Sequence, residues 1–120
     1  MNIGIIGLGS MGLNLTKNII SKKYKVYAYE QNSIIKNKLK KNKIRNLFLT
    51  KSLDELIKKV NSPRIIMLSL PADKVDEVIN ELTNFLEPKD IIADLGNSLY
   101  LKSIERDNLL KSHKINFLGV

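Results

Sequence analysis

The stretch Ile3-Gly4-Ile5-Ile6-Gly7-Leu8-Gly9-Ser10-Met11-Gly12 decides the fold. Its first four residues are a short apolar run closed by a glycine, the pattern of a buried parallel strand. Gly7 to Gly12 then fit G-x-G-x-x-G, a spacing that is weak in isolation. The context strengthens it. A helix is predicted from about Met11 to Lys22, with Leu13, Leu15, Ile19 and Ile20 as its apolar set, and a second strand from Lys25 to Tyr29. Strand, glycine turn, helix and strand within ~30 residues is the setting in which this motif cradles a pyrophosphate. Gly7 allows the tight turn, Gly9 lets a phosphate approach the backbone, and Gly12 lets the helix pack on the sheet. The free N–H groups and positive end of the helix supply the attraction. Gly7, Leu8, Gly9, Ser10, Met11 and Gly12 are therefore candidate cofactor-binding residues, against the plainer reading of a glycine-rich turn with no ligand.

The pattern continues outward. Ile34 to Lys41 reads as a short helix and Leu47 to Leu49 as a short strand. Ser52-Leu53-Asp54-Glu55 is a capping box opening a helix to about Val60. Arg64 to Leu70 is the strongest strand signal and Pro71 ends it; Val75, Val78, Ile79 and Leu82 then form a helical face. After a turn at Glu87 to Asp90 come a strand at Ile91-Ile92-Ala93, a helix from Leu101 to Lys111 and a strand from Ile115 to Val120. Short apolar strands alternating with helices predict one α/β domain over residues 1–120. Its expected form is a Rossmann-type, doubly wound parallel sheet in three αβα layers.

Glu30 ends the second predicted strand, where a dinucleotide site places an acid ~20 residues past the fingerprint. A carboxylate there accepts from the 2′- and 3′-hydroxyls of the NAD ribose and repels the 2′-phosphate of NADP. The next residue is the neutral Gln31, where NADP sites usually supply an arginine. The expectation is NAD in preference to NADP. Two readings compete: Glu30 as a merely solvated strand end, and a rescue of NADP by Lys22, Lys23 or Lys36.

The totals set bounds. The 120 residues carry a net charge of +8, and 43% are hydrophobic. Lysines are spread through the chain with many Ile and Asn, as an AT-rich genome gives. The densest basic run, Lys36 to Arg45 (KNKLKKNKIR), reads as a solvated helix end and loop rather than a nucleic-acid surface. There is no cysteine, hence no disulfide or thiolate metal site. The start lacks a signal peptide's features and no run approaches the ~20 apolar residues of a membrane span. These features suggest a cytoplasmic protein without membrane or nucleic-acid partners. The one histidine, His113, follows a helix end between Ser112 and Lys114 and reads as a surface residue. No metal-ligand spacing or nucleophilic triad is visible.

Two segments carry a resemblance. Ser62 to Ala72 (SPRIIMLSLPA) resembles the strand and turn of 6-phosphogluconate dehydrogenases. Asp90 to Tyr100 (DIIADLGNSLY) is close to that family's D-I-I-I-D-G-G-N-S-x-Y. Ile104-Glu105-Arg106 and Ile115-Asn116-Phe117 also sit where the family has similar residues. The likeness spans essentially the whole chain. Gly96-Asn97-Ser98 points to the phosphogluconate branch rather than to other β-hydroxyacid dehydrogenases, which usually carry Ser-Thr there. Glu30-Gln31-Asn32 is similar to the Asp-Arg-Asn of the short, NAD-using subgroup, not to the Asn-Arg-Thr of many NADP-using members.

The resemblance implies oxidative decarboxylation of 6-phosphogluconate to ribulose 5-phosphate, a pentose phosphate reaction. It implies that Asn97 and Ser98 face the sugar acid, with Asn97 also near the nicotinamide, and that Leu70, Pro71 and Ala72 line the cofactor's path. Turn chemistry alone also explains Gly-Asn-Ser. Three departures stand out: Asp73 where the family often has glycine, Leu95 in place of the first glycine of Gly-Gly-Asn-Ser, and the end of this sequence before the family's Ser-Gly-Gly turn. By resemblance the catalytic Lys, His and Asn lie beyond that turn, so no catalytic residue is expected in this chain. The helical domain and the homo-oligomer contacts of full-length members are expected there too. The leading expectation is the coenzyme-binding part of such an enzyme, inactive by itself. The alternative is a stand-alone NAD-binding module or sensor.

Overall fold

The structure, a computed structural model, describes residues 2–96, 106, 108–111 and 115–119. Among these, six strands form one all-parallel sheet: β1 (Ile3–Ile6), β2 (Val26–Tyr29), β3 (Leu47–Leu49), β4 (Ile65–Leu68), β5 (Ile91–Asp94) and β6 (Asn116–Gly119). Their order is β3-β2-β1-β4-β5-β6, the doubly wound order whose direction reverses between β1 and β4. The helices are α1 (Ser10–Ser21), α2 (Ser33–Lys41), α3 (Leu53–Lys59) and α4 (Ala72–Leu82). Residues 106 and 108–111 are also helical.

Strand position explains the sequence patterns. All of β1 is buried because helices cover both faces of a central parallel strand. Alternate side chains feed two cores. Ile3 and Ile5 join Val26, Ala28 and Met67 against α1 and α2. Ile6 joins Ile66, Leu68 and Ile92 against α3, α4 and Leu110. Near the open edge of the sheet, Tyr27 and Phe48 stack with ring centroids 5.2 Å apart.

Helix starts differ in a way that matters below. Asn32 Oδ1 caps α2, accepting from Ile34 and Ile35 N–H at 2.9 and 3.2 Å. Ser52 Oγ caps α3 by accepting from Glu55 N–H at 3.0 Å. The Glu55 carboxylate reaches back to Lys51 N–H at 3.2 Å, one residue before the position a capping box would use. Neither α1 nor α4 has a side-chain cap. The strand expected over Arg64 to Leu70 is shorter, Ile65–Leu68. Ser69 N–H still bonds Ile6 O at 2.8 Å, but Leu70 and Pro71 leave the sheet to wall a cleft. Apolar character marked the run, not where the backbone departs.

The amino ends of β4 and β5 are clasped. Asp90 is fully buried, and its carboxylate accepts from Ser62 Oγ, Arg64 N–H, Glu87 N–H and Arg64 Nη1 at 2.7–2.9 Å. Arg64 Nε in turn donates to Val60 O at 2.6 Å and Ile57 O at 3.1 Å, tying in the end of α3. Burial by itself raises the Asp90 carboxyl, but hydrogen bonds from the Arg64 and Glu87 backbones, the Ser62 hydroxyl and the guanidinium outweigh it and hold the group below its ordinary range.

Removing the buried carboxylate leaves the partly buried Arg64 guanidinium without its counterion and the Arg64 and Glu87 N–H groups without an acceptor, so Asp90→Ala should cost about 3–5 kcal/mol in urea denaturation near neutral pH. A depressed folded value means the contribution is complete above the unfolded value, ~3.9, and is lost as pH falls through the lower folded one. The variant should accordingly show a shallower acid limb of stability. A loss under about 1 kcal/mol would mean the clasp behaves as an exposed ion pair.

Candidate functional site

The glycines divide by what surrounds them. Gly7 has φ +97°, and a Cβ there would lie 2.1 Å from Ser69 O. A Cβ on Gly12 would lie 2.4 Å from Gly7 O and 2.9 Å from Ser69 Cβ. Both are forced by the close passage of β1's exit over β4's exit. Gly9 is different: a Cβ there would meet nothing within 4 Å. Its φ of −65° suits any residue. Protein packing thus requires Gly7 and Gly12 but not Gly9, and the open space beside Gly9 suits a group that is not part of the protein.

Gly9, Ser10 and Met11 are exposed, whereas Gly7, Leu8 and Gly12 are buried. Leu8 packs its side chain into the α1-side core. Its N–H donates to Glu30 Oε1 at 2.6 Å. The N–H groups that open α1 after Leu8 have no side-chain cap and no acid in the first turn, and Gly9 lines the cleft. Such a helix end attracts an anion. Thr16 Oγ1 donates to Gly12 O at 2.7 Å, supporting the turn from behind.

Glu30 is buried, 8% exposed. Besides Leu8 N–H, it receives Asn32 N–H on Oε2 at 2.8 Å. The carboxylate therefore struts the glycine loop to the start of α2. A carboxylate offers about four acceptor positions, so two backbone bonds leave room for sugar hydroxyls. Glu30 borders the cleft and is not a solvated strand end.

That cleft, about 440 Å³, lies over Gly7, Gly9, Glu30, Gln31, Ser69, Leu70, Pro71 and Lys74. A second of about 250 Å³ shares Gly7, Glu30, Gln31, Leu70 and Lys74 with it and continues past Tyr29, Leu53 and Val78 to Glu77 and Glu81. Lys22, Lys23 and Lys36, the cations weighed as partners for a 2′-phosphate, line neither cleft; Lys74 lines both. The second cleft is net acidic. Ala72 opens α4, and Asp73 is exposed in its first turn rather than inside the cleft. Leu95 packs against the α1-side core. Asn97, Ser98 and His113 lie outside the described residues.

The sequence reading missed an ion network beside the site. Asp94, 1% exposed at the end of β5, accepts Gly96 N–H at 2.9 Å on Oδ1. Its Oδ2 lies 3.2 Å from Arg106 Nη1, while Arg106 Nε lies 2.6 Å from Asp76 Oδ1 on α4. The one local hint is an acid ending an apolar strand. Lys74, Glu77 and Glu81 were also missed; with Val78, which was read only as part of the apolar face, they share the i, i+3, i+4, i+7 spacing of one side of a helix.

A larger hollow, about 680 Å³, lies away from these glycines, among Leu39, Ile44, Phe48 and the basic Lys40, Lys43 and Arg45. Lys38, Lys40 and Lys41 occupy the last turn of α2, where the helix dipole favours cations. Among the described residues no helix is long and apolar enough to cross a membrane. No group of three His, Cys, Asp or Glu among them could hold a metal ion.

Residues 2–120 match the family model described as the NAD binding domain of 6-phosphogluconate dehydrogenase. The chain is 35% identical over 120 residues to a decarboxylating 6-phosphogluconate dehydrogenase of Buchnera aphidicola, covering 98% of this chain and 26% of that protein. It is 36% identical over 118 residues to a putative 6-phosphogluconate dehydrogenase of Bacillus subtilis, covering 98% of this chain and 39% of that one. The structure superimposes on Plasmodium falciparum 6-phosphogluconate dehydrogenase with a TM-score of 0.88 and 33% identity, over 100% of this chain and 27% of that one. That protein is described with its cofactor NADP+ and its substrate 6-phosphogluconate. The chain thus spans about a quarter to two fifths of the length of these relatives.

The two kinds of glycine should separate on mutation. Gly7→Ala combines a left-handed backbone with a collision against main chain and should lose about 2–4 kcal/mol in thermal or urea unfolding. Gly9→Ala should stay within about 0.5 kcal/mol of the parent. Equal losses at both positions would show that the fold, not a ligand, needs Gly9.

Proposed function

The chain belongs to the family of the NAD-binding domain of 6-phosphogluconate dehydrogenase, and on that premise we propose that it is the coenzyme-binding part of a decarboxylating 6-phosphogluconate dehydrogenase that prefers NAD to NADP. One observation carries the reading. Gly9 is the fingerprint glycine that the protein's own packing does not require, and it opens an uncapped helix end. The residues present fit a dinucleotide: an anion-binding helix end, a buried acid for sugar hydroxyls, and an adjoining cleft with apolar walls at Tyr29, Leu53 and Val78.

The preference for NAD rests on charge. Glu30, Glu77 and Glu81 against the single Lys74 make the adjoining cleft hostile to a 2′-phosphate. The uncharged Gln31 offers that phosphate no counterion. When bound, the nicotinamide accepts a hydride from the substrate alcohol. In this proposal Gly9, Ser10 and Met11 present N–H groups to the diphosphate, and Glu30 orients the adenosine ribose. Leu70 and Pro71 wall the path toward the reacting ring, with Asn97 and Ser98 facing the sugar acid. Decarboxylation also needs groups that move protons to and from the substrate. None is assigned in this chain, so the isolated 120 residues are expected to bind coenzyme without turning over 6-phosphogluconate.

Fluorescence titration with NADH and NADPH tests the reading. NADH should bind at least about tenfold more tightly, a difference of ~1.4 kcal/mol. Gly9→Val should weaken both about tenfold or more while leaving the fold intact, because its side chain fills the phosphate approach. Tighter binding of NADPH would overturn the preference. Full-rate oxidation of 6-phosphogluconate by the chain alone would overturn the division of labour.

A further inference from the structure

Among the described residues Lys74 is the one basic residue in the lining of the two joined clefts, and it is shared by both, as is Gly7. Its place in the chain runs against local electrostatics. A helix N-terminus carries positive charge and favours acids. α3 shows the favoured arrangement in full, with Asp54 and Glu55 in its first turn and Lys58 and Lys59 in its last, and α2 shows half of it, with Lys38, Lys40 and Lys41 in its last. α4 keeps the favoured acid, Asp73, in its first turn but sets a cation beside it. Lys74 lies in the first turn and the last turn has no basic residue. Residues that defy a local rule without structural return tend to mark functional positions.

The structure gives Lys74 no such return. Its backbone N–H bonds Pro71 O at 2.9 Å, but among the described residues its ammonium has no hydrogen bond or ion pair. Glu30, its acidic neighbour across the cleft, is already engaged by Leu8 and Asn32 N–H. The side chain is exposed and makes no part of either core.

Resting on the dinucleotide reading of the cleft, we propose that Lys74 is a cofactor-binding residue whose ammonium meets the diphosphate from the α4 wall, facing the uncapped N-terminus of α1. The diphosphate would then be held between backbone N–H groups on one side and a mobile cation on the other. A charge-assisted hydrogen bond of this kind is roughly twice as strong as a neutral one. The long lysine stem lets it follow the ligand as it enters.

Calorimetric titration of the full chain with NAD, ADP and adenosine decides the matter, using Lys74→Gln, Lys74→Ala and Lys74→Arg, each checked for native circular dichroism. Lys74→Gln and Lys74→Ala should weaken NAD and ADP about tenfold or more, leave adenosine unchanged and flatten the salt dependence of binding. Lys74→Arg should restore most of the loss. Unchanged affinity for NAD would overturn the proposal. So would an equal loss for adenosine, which means a role at the base or sugar, or a loss seen for NADP but not NAD, which means contact with a 2′-phosphate. If the unmutated chain binds neither NAD nor NADP, the dinucleotide reading itself fails. If it binds and Lys74→Gln matches it, only the role of Lys74 fails.

Discussion

Gly7 and Ser69 share a space that no side chain can enter. The carbonyl oxygen of Ser69 lies 2.1 Å from where a Gly7 Cβ would stand. This one backbone contact fixes the exits of β1 and β4, the neighbouring strands between which the winding direction reverses. Gly12 then packs on the Gly7 carbonyl and sets the first turn of α1. With both exits pinned, α1 and α4 begin on either side of the same gap. The crevice at such a reversal is where open α/β sheets bind ligands.

The two ends of the sheet are built on opposite principles. At the amino ends of β4 and β5, Asp90 has its oxygens filled by four donors and draws three segments together. Polar groups there are satisfied internally, and the structure is closed. At the carboxyl ends of β1 and β4 the helices α1 and α4 begin without a side-chain cap, a glycine faces empty space, and charged side chains line clefts. Arg106, Asp94 and Asp76 form an ion network at that end joining β5 to α4, with Arg106 and Asp94 buried and Asp76 half exposed. It braces the wall of the clefts without entering their lining. The Asp90 clasp closes the amino ends of β4 and β5, whereas unmet bonding capacity gathers at the carboxyl ends of β1 and β4.

What the sequence discloses follows range. The strand-glycine-helix opening, the alternation of strands and helices and the acid at the end of β2 are local patterns, and all appear at the expected places. Contacts between distant segments have no such signature. Nothing near Glu30 says that it receives the N–H of Leu8, 22 residues away. Nothing near Asp90 foretells Arg64, and Arg106 stood out only by the resemblance of Ile104-Glu105-Arg106, which says nothing of its ion pairs. Lys74 was hidden for another reason. Its significance depends on which way α4 points, and helix periodicity defines a face without saying what that face looks upon. Asn97 and Ser98, outside the described residues, are expected at the site from resemblance alone.

The double attachment of Glu30 constrains how a protein of this kind can change over evolutionary time. Its carboxylate holds the buried N–H of Leu8 as well as bordering the cleft. Substituting an arginine or a small neutral residue to admit a different nucleotide leaves that N–H without an acceptor, at about 1–3 kcal/mol. The route is therefore epistatic. A replacement acceptor for the loop has to arise first, or with the change, and under the proposed role of Glu30, selectivity cannot drift through this position one substitution at a time without weakening the glycine turn itself.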